Sequence, residues 1–347
     1  MIMRNHSRRE VLRLAGAAAG AAAFGASINT SRAASMNVRI GWQPTLNGAR
    51  YFVAQHEGLF TANGLNVEAI KFTSGPAYFS AFLSKSIDVG FMGTPPAVVG
   101  IAQGVPMQIF AIENYAPGSE ALVARKGSGI NALKDMKGKR IATKRGTSGD
   151  YALQMGLKKA GLTLSDITFL DIDVSALIPA FTRGDIDAGW YWEPWQGEMI
   201  EAGGKQIATD GEVGVAGGIV WVAQTDWLAQ NGEIVERILK AVDEATAVIA
   251  KDPQKAASYI VADMGVTQDL ALRVLTKEAT WPTMKQTWEP GYPLSINPAS
   301  IRSDKGLIDA LSRQAEFQKN QGSLKTSPDF AKAIETKYVA QFIGAKA

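Results

Sequence analysis

The feature of this sequence that most restricts its fold is the alternation of strand-like and helix-like segments between residues 37 and 223. Val38–Trp42 is typical of a β-strand, Asn47–Gly58 of a helix closed by glycine, and Leu65–Phe72 of a second strand. Successive parallel strands need crossover connections, and these are usually helices. The alternation therefore predicts βαβ units built around mostly parallel sheets.

The pattern changes after Gln224, where only helix-like segments follow. An irregular stretch that contains several prolines interrupts them at Trp281–Pro298. A chain of 347 residues is long enough for two domain-sized cores. We therefore expect two α/β lobes followed by C-terminal helices.

The first 34 residues predict an export signal of the twin-arginine type. Ser7–Leu12 contains two adjacent arginines, an apolar run rich in alanine and glycine follows at Leu14–Ile28, and Ser31–Ala33 offers small residues for cleavage. The apolar run is too short, and too rich in glycine and alanine, for a membrane anchor. We therefore expect residues 1–34 to be removed on export.

Removal of this segment changes the charge of the chain. Residues 1–34 hold five of the 36 basic residues and one of the 33 acidic residues, so residues 35–347 have a net charge of −1. No basic stripe with interleaved aromatic residues remains, and we expect no nucleic-acid partner. Cysteine is absent, which excludes disulfides and a lipid-anchoring cysteine. An exported chain without such an anchor indicates a periplasmic location.

Residue types that carry catalysis are scarce. The two histidines, His6 and His56, cannot form a site that needs several imidazoles, and without cysteine there is no thiolate nucleophile or metal ligand. Nucleophile-elbow, P-loop and dinucleotide-binding glycine motifs do not occur. Asp185 and Asp187 follow Gly184 between a predicted helix and a predicted strand, where acids are common in turns. We therefore expect a non-enzymatic protein with no catalytic residue, no metal and no cofactor.

Four predicted strands end in small or hydroxylated residues where a helix should begin. Helix N-termini carry unpaired N–H groups and partial positive charge, so they can hold an oxyanion without a lysine. Each turn could equally be an ordinary N-cap, but the ligand crevice of an open α/β sheet lies at the carboxyl ends of its strands. Together the turns predict a site for a small anion. They are Pro44–Asn47, Phe72–Gly75, Met92–Pro95 and Arg145–Tyr151.

Aromatic residues give a second indication of a ligand site. Trp190 and Trp192 share one face of a predicted strand, and Trp221 lies in a strand that returns toward the first lobe. Aromatic walls exclude water from a small ligand and strengthen its polar contacts. The alternative, that these rings fill the core, stays open at this point.

Six short motifs occur in order along about Val38–Ala250. They are Gly93–Pro96, Gly118–Val123, Gly138–Ala142, Thr147–Ser148 with Tyr151, Arg183–Asp187 and Trp192–Trp195. In this order and spacing the chain resembles the nitrate/sulfonate/taurine-type periplasmic binding proteins of ABC importers, and among them most resembles the taurine-binding components. The resemblance implies the type II periplasmic binding protein fold, in which two α/β lobes are joined by a two-strand hinge. On that pattern residues 35–124 and 221–347 form lobe 1, and residues 125–220 form lobe 2.

The resemblance also implies which residues meet the ligand. Hydroxyl groups and backbone N–H groups would hold the oxyanion, polar side chains would line the side of lobe 1, and a tryptophan would form a wall. The predicted ligand-binding residues are Gln43, Thr45, Ser74, Thr94, Ser119, Thr147, Ser148, Tyr151, Trp192, Glu193 and Trp221.

One position departs from the pattern of the taurine-type relatives. They have an acidic residue just before the returning Val-Trp pair, where it can face the ammonium of the ligand, and here that position is Ile219. An ammonium buried without a counter-charge is costly. Either another acid substitutes, with Glu193, Glu113 and Asp150 as the candidates, or the ligand has no amine.

These observations predict a periplasmic solute-binding component of an ABC importer. It would capture a small organic anion, taurine or another aliphatic sulfonate, and pass it as a monomer to a permease that is coupled to an ATPase. The alternatives are a binder of a heteroaromatic nutrient such as a pyrimidine or flavin precursor, a carboxylate binder, and a sensory binding module. An enzyme of thiamine-pyrimidine synthesis would need histidine chemistry and a cysteine-rich motif, and this sequence has neither.

Overall fold

The computed structural model describes residues 35–302 and 306–345. The predicted export signal at residues 1–34 lies outside the described residues. Within the described ranges no helix is both long and apolar enough to cross a membrane. The strands are β1 (Met36–Trp42), β2 (Leu65–Lys71), β3 (Val89–Gly93), β4 (Met107–Tyr115), β5 (Glu120–Ala124), β6 (Arg140–Thr143), β7 (Thr168–Asp171), β8 (Ala188–Trp192), β9 (Lys205–Thr209) and β10 (Gly218–Gln224).

The α-helices of the same ranges connect these strands and then continue alone to the C-terminus. They are α1 (Ala49–His56), α2 (Leu59–Ala62), α3 (Tyr78–Leu83), α4 (Thr94–Ala102), α5 (Ser148–Lys159), α6 (Val174–Arg183), α7 (Trp195–Glu201), α8 (Thr225–Gln230), α9 (Gly232–Lys251), α10 (Pro253–Met264), α11 (Gln268–Arg273), α12 (Met284–Trp288), α13 (Leu307–Asn320), α14 (Phe330–Ala333) and α15 (Lys337–Phe342). A π-helical turn, Val274–Glu278, extends α11.

The strands form two five-stranded sheets, one in each lobe. The strand order is β2-β1-β3-β10-β4 in the first sheet and β7-β6-β8-β5-β9 in the second. In each sheet a single strand runs against the other four: β10 pairs antiparallel with β3 and β4, and β5 pairs antiparallel with β8 and β9. The predicted fold of two α/β lobes with mostly parallel sheets is confirmed.

The two reversed strands are those that follow the crossings between the lobes. The chain leaves the first sheet after Tyr115 and enters the second with β5, and it returns with β10. The predicted boundary at residues 124 and 125 is therefore wrong by one strand, because β5 bonds only to strands of the second sheet. The two crossing segments lie side by side, since Ala116 N–H donates to Gly217 O at 2.9 Å. We place the division of the lobes at these two residues.

Both lobes repeat one ion pair at the amino end of a central strand. The backbone N–H and guanidinium of Arg39 donate to Asp88, and those of Arg140 donate to Asp187 in the same manner. Gly184, with φ of 81°, closes α6 just before Asp187, as the turn motif predicts. Asp187 thus fastens β6 to the turn that leads into β8, which agrees with a structural role for this acid.

The C-terminal helices pack mainly on the first lobe. α9 lies against α1 and α2, and α10 lies against α1. Leu270 and Val274 belong to the same apolar core as the first sheet. The second sheet is covered by two separate apolar clusters, one containing Trp190 and the other Tyr191, as expected for successive residues of a strand. This packing leaves the carboxyl edges of both sheets facing a common cleft.

Candidate functional site

Ten residues from both lobes line a narrow cleft between the two sheets. All four turns predicted to bind an anion contribute at least one residue. The first lobe supplies Gln43, Thr45, Gly75, Gly93, Pro96 and Ile219, and the second supplies Glu120, Thr147, Ser148 and Trp192.

The side of lobe 1 is built from the ends of β1, β2 and β3. Thr45 accepts a hydrogen bond from the N–H of Asn47 and so caps the short helix that follows β1. Gln43 is buried, with its amide 3.5 Å from the carbonyl oxygen of Phe91. Gly93 ends β3, and the next residues open α4 with two prolines in its first turn, where no N–H partner is lost.

The side of lobe 2 is built around the start of α5. Gly146 has φ of 77°, and its N–H donates to Asp150 at 2.8 Å, which closes the loop after β6. The hydroxyl of Thr147 donates to Lys144 O at 2.6 Å. Thr147 and Ser148 therefore present the first amides of α5 to the cleft, and those amides have no partner within the helix.

The two helix starts approach each other across the cleft. α4 packs against α5, although one belongs to lobe 1 and the other to lobe 2. A Cβ atom built on Gly146 would lie 3.6 Å from the ring of Pro76, a residue of the turn after β2. The partial positive charges at both helix N-termini therefore meet in one small space, which favours an anionic guest.

Trp192 lines the cleft as predicted, whereas Trp221 does not. Trp221 is 1% exposed, packs between Phe91 and Phe110, and donates from Nε1 to Glu113 at 2.6 Å. Trp190 is equally buried and donates to Asp210 at 2.8 Å. The structure therefore places Trp221 in the core of lobe 1 and outside the residues that line the cleft.

Four other predicted residues lie around the cleft without lining it. Ser74 and Thr94 are buried directly beside the lining residues Gly75 and Gly93. Ser119 donates to Asn47 Oδ1 at 2.9 Å and so ties the first crossing segment to lobe 1. Tyr151 packs edge-on against Phe317 of α13 at 5.6 Å.

The three acids proposed as counter-charges for an ammonium are all engaged elsewhere. Glu193 is buried, accepts from the N–H of Gly197 at 2.9 Å and pairs with Arg273 at 2.7 Å. Glu113 accepts from the N–H of Arg50 and from Trp221, inside the core of lobe 1. Asp150 bonds to the loop before α5 and to Gln154. None of the three lines the cleft, because each already has donors that the sequence does not reveal.

Glu120 is the lining residue that the sequence analysis missed. It is 6% exposed, and one of its two carboxylate oxygens, Oε2, is buried without a hydrogen-bond partner among residues 35–302 and 306–345. Burial raises the pKa of this carboxyl, and the neighbouring Ser148 side chain offsets part of the effect. In the sequence, the only sign of a role for Glu120 was its position inside the motif Gly118–Val123. Its place at the cleft follows from the pairing of β5 with β8, in which Glu120 lies opposite Trp192.

His56 lies away from the cleft. Its Nε2 is 3.0 Å from Asp263, and its ring stacks on Tyr259 at 4.8 Å. None of the ten lining residues is histidine, lysine or arginine. In the described ranges no group of three or more His, Cys, Asp or Glu side chains could hold a metal ion.

Comparison with known proteins agrees with this architecture. The model of a family described as NMT1/THI5 like matches residues 45–256. The taurine-binding periplasmic protein of Escherichia coli (strain K12) is 28% identical over 321 residues, which cover 89% of this chain and 94% of that protein. The 4-amino-5-hydroxymethyl-2-methylpyrimidine phosphate synthase of Schizosaccharomyces pombe (strain 972) is 27% identical over 226 residues, 61% of this chain and 64% of that one.

Among solved structures, the alkanesulfonate-binding protein SsuA from Xanthomonas axonopodis pv. citri, bound to MOPS, is similar to this chain with a TM-score of 0.75. The match covers 88% of this chain and 99% of that one at 23% identity. It shows that the chain has the fold of the periplasmic binding proteins.

Proposed function

Since the chain belongs to the NMT1/THI5-like family, we propose that it is a solute-binding protein that captures a small organic anion between its lobes and delivers it to an ABC importer. Taurine or another aliphatic sulfonate is the ligand class that we favour, and the taurine-binding relative in Escherichia coli supports it. The observation that carries the proposal is the convergence of the α4 and α5 N-termini on one cleft.

The cleft suits capture by closure of the two lobes. The ligand contacts both halves, so it binds better when they are together and shifts an open–closed equilibrium toward the closed form. Thr147, Ser148 and the amides of α5 would hold the oxyanion from one side, and Gln43 and Thr45 would hold it from the other. The permease would then recognise the closed shape.

We further propose that the protein works as a periplasmic monomer exported by the twin-arginine route. The motif Ser7–Leu12 supports the route, and the name of the Escherichia coli relative supports the compartment. A permease and the ATPase coupled to it would be the partners.

We propose that the protein is not an enzyme, although one relative is a synthase. His56, the one histidine of the described residues, lies away from the cleft, so none of these residues offers an imidazole there for proton transfer. A flat heteroaromatic ligand is less well supported, because Trp192 is the only aromatic residue among the ten that line the cleft. One ring provides a wall, whereas stacking on both faces of a heterocycle needs two.

The experiment that tests the proposal is isothermal titration of the purified protein with taurine, ethanesulfonate, nitrate, acetate and a pyrimidine. We expect saturable binding of at least one sulfonate at micromolar or lower concentration, and none of nitrate or the pyrimidine. Binding of the pyrimidine alone would replace this proposal with a heteroaromatic binder. The absence of sulfonate binding by folded protein would overturn it.

A further inference from the structure

The cleft contains a single ionisable side chain. Of the ten lining residues, only Glu120 can carry a charge, and the remaining nine are apolar, glycine, hydroxyl or amide residues. Glu120 is 94% removed from solvent, and its Oε2 has no hydrogen-bond donor in the part of the chain that the structure describes. Beyond the neighbouring Ser148 side chain, the lining of the cleft offers this carboxyl no counter-charge, and a buried carboxylate without one is costly.

A second carboxyl group, that of Asp210, lies next to Glu120 in the interior of lobe 2. Asp210 is fully buried, its N–H donates to Glu120 O at 3.0 Å, and its Oδ1 accepts from Trp190 at 2.8 Å. Its Oδ2, like the Oε2 of Glu120, is buried and has no hydrogen-bond partner among the described residues. Burial and the charge of Glu120 raise the pKa of Asp210 well above its usual range, so the two carboxyls do not both ionise and this end of the cleft carries one negative charge.

The surroundings of Glu120 suit a small ammonium group. Trp192 is its partner in the register of β5 and β8, and a tryptophan ring attracts an ammonium through its electron-rich face. Ile219 on the opposite lobe is apolar and excludes water, which strengthens a charge pair. The start of α5 lies beside this group and offers amides to an oxyanion.

We propose that Glu120 is the acid of the cleft that pairs with a ligand ammonium, so that the site selects small zwitterions carrying an ammonium and a sulfonate over sulfonates without an amine. This inference rests on the proposed function, because it names the subclass of anion that the same cleft accepts. Glu120 would then supply the counter-charge for the ammonium, which the apolar Ile219 cannot supply. The anion end of the guest lies at the helix starts and the cation end at Glu120.

Glu120 would have another role if its carboxyl group were protonated. A protonated Glu120 could donate a hydrogen bond to the oxyanion and would then serve ligands with or without an amine. Glutamine keeps a donor at that position but carries no negative charge. The substitution Glu120→Gln therefore separates the two roles, since it preserves a donor and removes the counter-charge.

The test compares taurine with ethanesulfonate, which has the same sulfonate and carbon chain but no amine. Isothermal titration measures both ligands on the wild-type protein, on Glu120→Gln and on Glu201→Gln, an exposed acid of α7 that serves as the control. Circular dichroism and thermal unfolding show whether each variant is folded. We expect wild-type protein to bind taurine at least tenfold more tightly than ethanesulfonate, and Glu120→Gln to lose that preference through weaker taurine binding.

The outcomes distinguish this inference from the proposed function. Equal affinity of the wild-type protein for both ligands overturns the inference and leaves the sulfonate-binding function intact, whatever the variant does. Equal retention of both ligands by Glu120→Gln assigns the residue a donor role and also overturns it. If folded wild-type protein binds neither ligand, the proposed function fails and this inference fails with it.

Discussion

Arg273 Nη2 lies 2.7 Å from Glu193 Oε1, in an ion pair that links the helices packed on lobe 1 to the end of β8 in lobe 2. Glu193 is fully buried, while the Arg273 side chain is 40% exposed. Leu46 N–H adds a second link, to Glu193 O at 3.3 Å. Separation of the lobes would break both contacts, so Glu193 ties the closed form together from a position just outside the cleft.

Arg273→Gln should therefore shift the ligand-free protein toward an open form. The substitution leaves the buried Glu193 carboxylate without its cation, and because Arg273 is partly exposed we expect a cost of about 1–2 kcal/mol. Ligand affinity should fall about 5- to 30-fold, and the radius of gyration from small-angle scattering should increase without ligand and recover with it. Arg183→Gln, which removes an exposed pair with Asp185 inside lobe 2, is the control and should change neither quantity.

The buried carboxyl group of Glu193 should make the stability of the protein depend on pH. Burial raises the pKa of Glu193 from its ordinary value of 4.5 to about 7, although Gly197 N–H and Arg273 oppose the shift. Because the folded protein holds this proton more tightly than the unfolded chain, the stabilising contribution is complete below pH 4.5 and is lost as the pH rises to about 7.

Glu193→Gln should consequently flatten the pH profile of thermal unfolding between pH 5 and pH 7. The free energy of unfolding should decrease over this interval by about 2 kcal/mol less in the variant than in the wild-type protein. Glu278, which also pairs with Arg273, contributes to the raised pKa of Glu193, and Glu193→Gln removes the repulsion between these two acids. A variant profile parallel to the wild-type profile would show that Glu193 does not titrate in this range. Glu201→Gln is the exposed control.

The regular elements could be predicted because local pattern decides them. α10 begins with Pro253 and ends before Gly265, so residues of its own sequence mark both of its ends. Where packing decides, the local pattern is not enough: the helix-like segment near the C-terminus contains two short helices, α14 and α15. Trp195–Glu201 was not predicted as a helix, and it forms α7 directly after the turn that holds Glu193.

The site could be predicted only in part, for a related reason. A turn such as Arg145–Tyr151 combines strand end, glycine and helix start within seven residues, so its function is visible locally. Whether an acid is free to bind a ligand depends on donors that are distant in the sequence. Glu113 accepts hydrogen bonds from Arg50 and Trp221, which are 63 and 108 residues away. Glu120 was overlooked for the opposite reason, since only the tertiary structure shows that no donor in the described part of the chain reaches its Oε2.

The hydroxyls at the start of α5 should contribute unequally to ligand binding. The Thr147 hydroxyl is already donated to Lys144 O, whereas Ser148 lies beside Glu120 in the cleft. A charge-assisted hydrogen bond contributes roughly 1.5–3 kcal/mol, so the double variant Thr147→Ala, Ser148→Ala should bind at least tenfold more weakly. Ser148→Ala alone should account for most of that loss in isothermal titration. Thr182→Ala, on the exposed face of α6, is the control, and unchanged affinity of the double variant would remove this turn from the site.

The two tryptophans of β8 should separate binding from stability. Trp190 is fully buried, so Trp190→Ala should lower the free energy of unfolding by about 3–5 kcal/mol. Trp192 lines the cleft, so Trp192→Ala should weaken ligand binding about tenfold or more with a smaller loss of stability. Denaturant unfolding and titration of both variants check the contrast. If the Trp192→Ala variant bound the ligand with wild-type affinity, Trp192 would have a structural role and no contact with the ligand.

Gly149 should be the glycine of α5 that tolerates substitution least, because it lets the helix start sit directly on β8. A Cβ atom at this position would lie 2.4 Å from Trp190 O and 2.7 Å from Thr143 Oγ1, which itself donates to Trp190 O at 2.9 Å. The clash is with backbone, so Gly149→Ala must displace the first turn of α5 away from the sheet.

That displacement should reduce stability and binding together. Overpacking of this kind costs about 1–3 kcal/mol, and the moved amides would no longer be placed to hold an oxyanion, so we expect at least tenfold weaker binding. Gly291→Ala is the matched control, because a Cβ there would meet no atom within 4 Å. If Gly149→Ala lowered the melting temperature but left affinity unchanged, the first turn of α5 would be a structural support of lobe 2 and the oxyanion would have to be held by the residues of lobe 1.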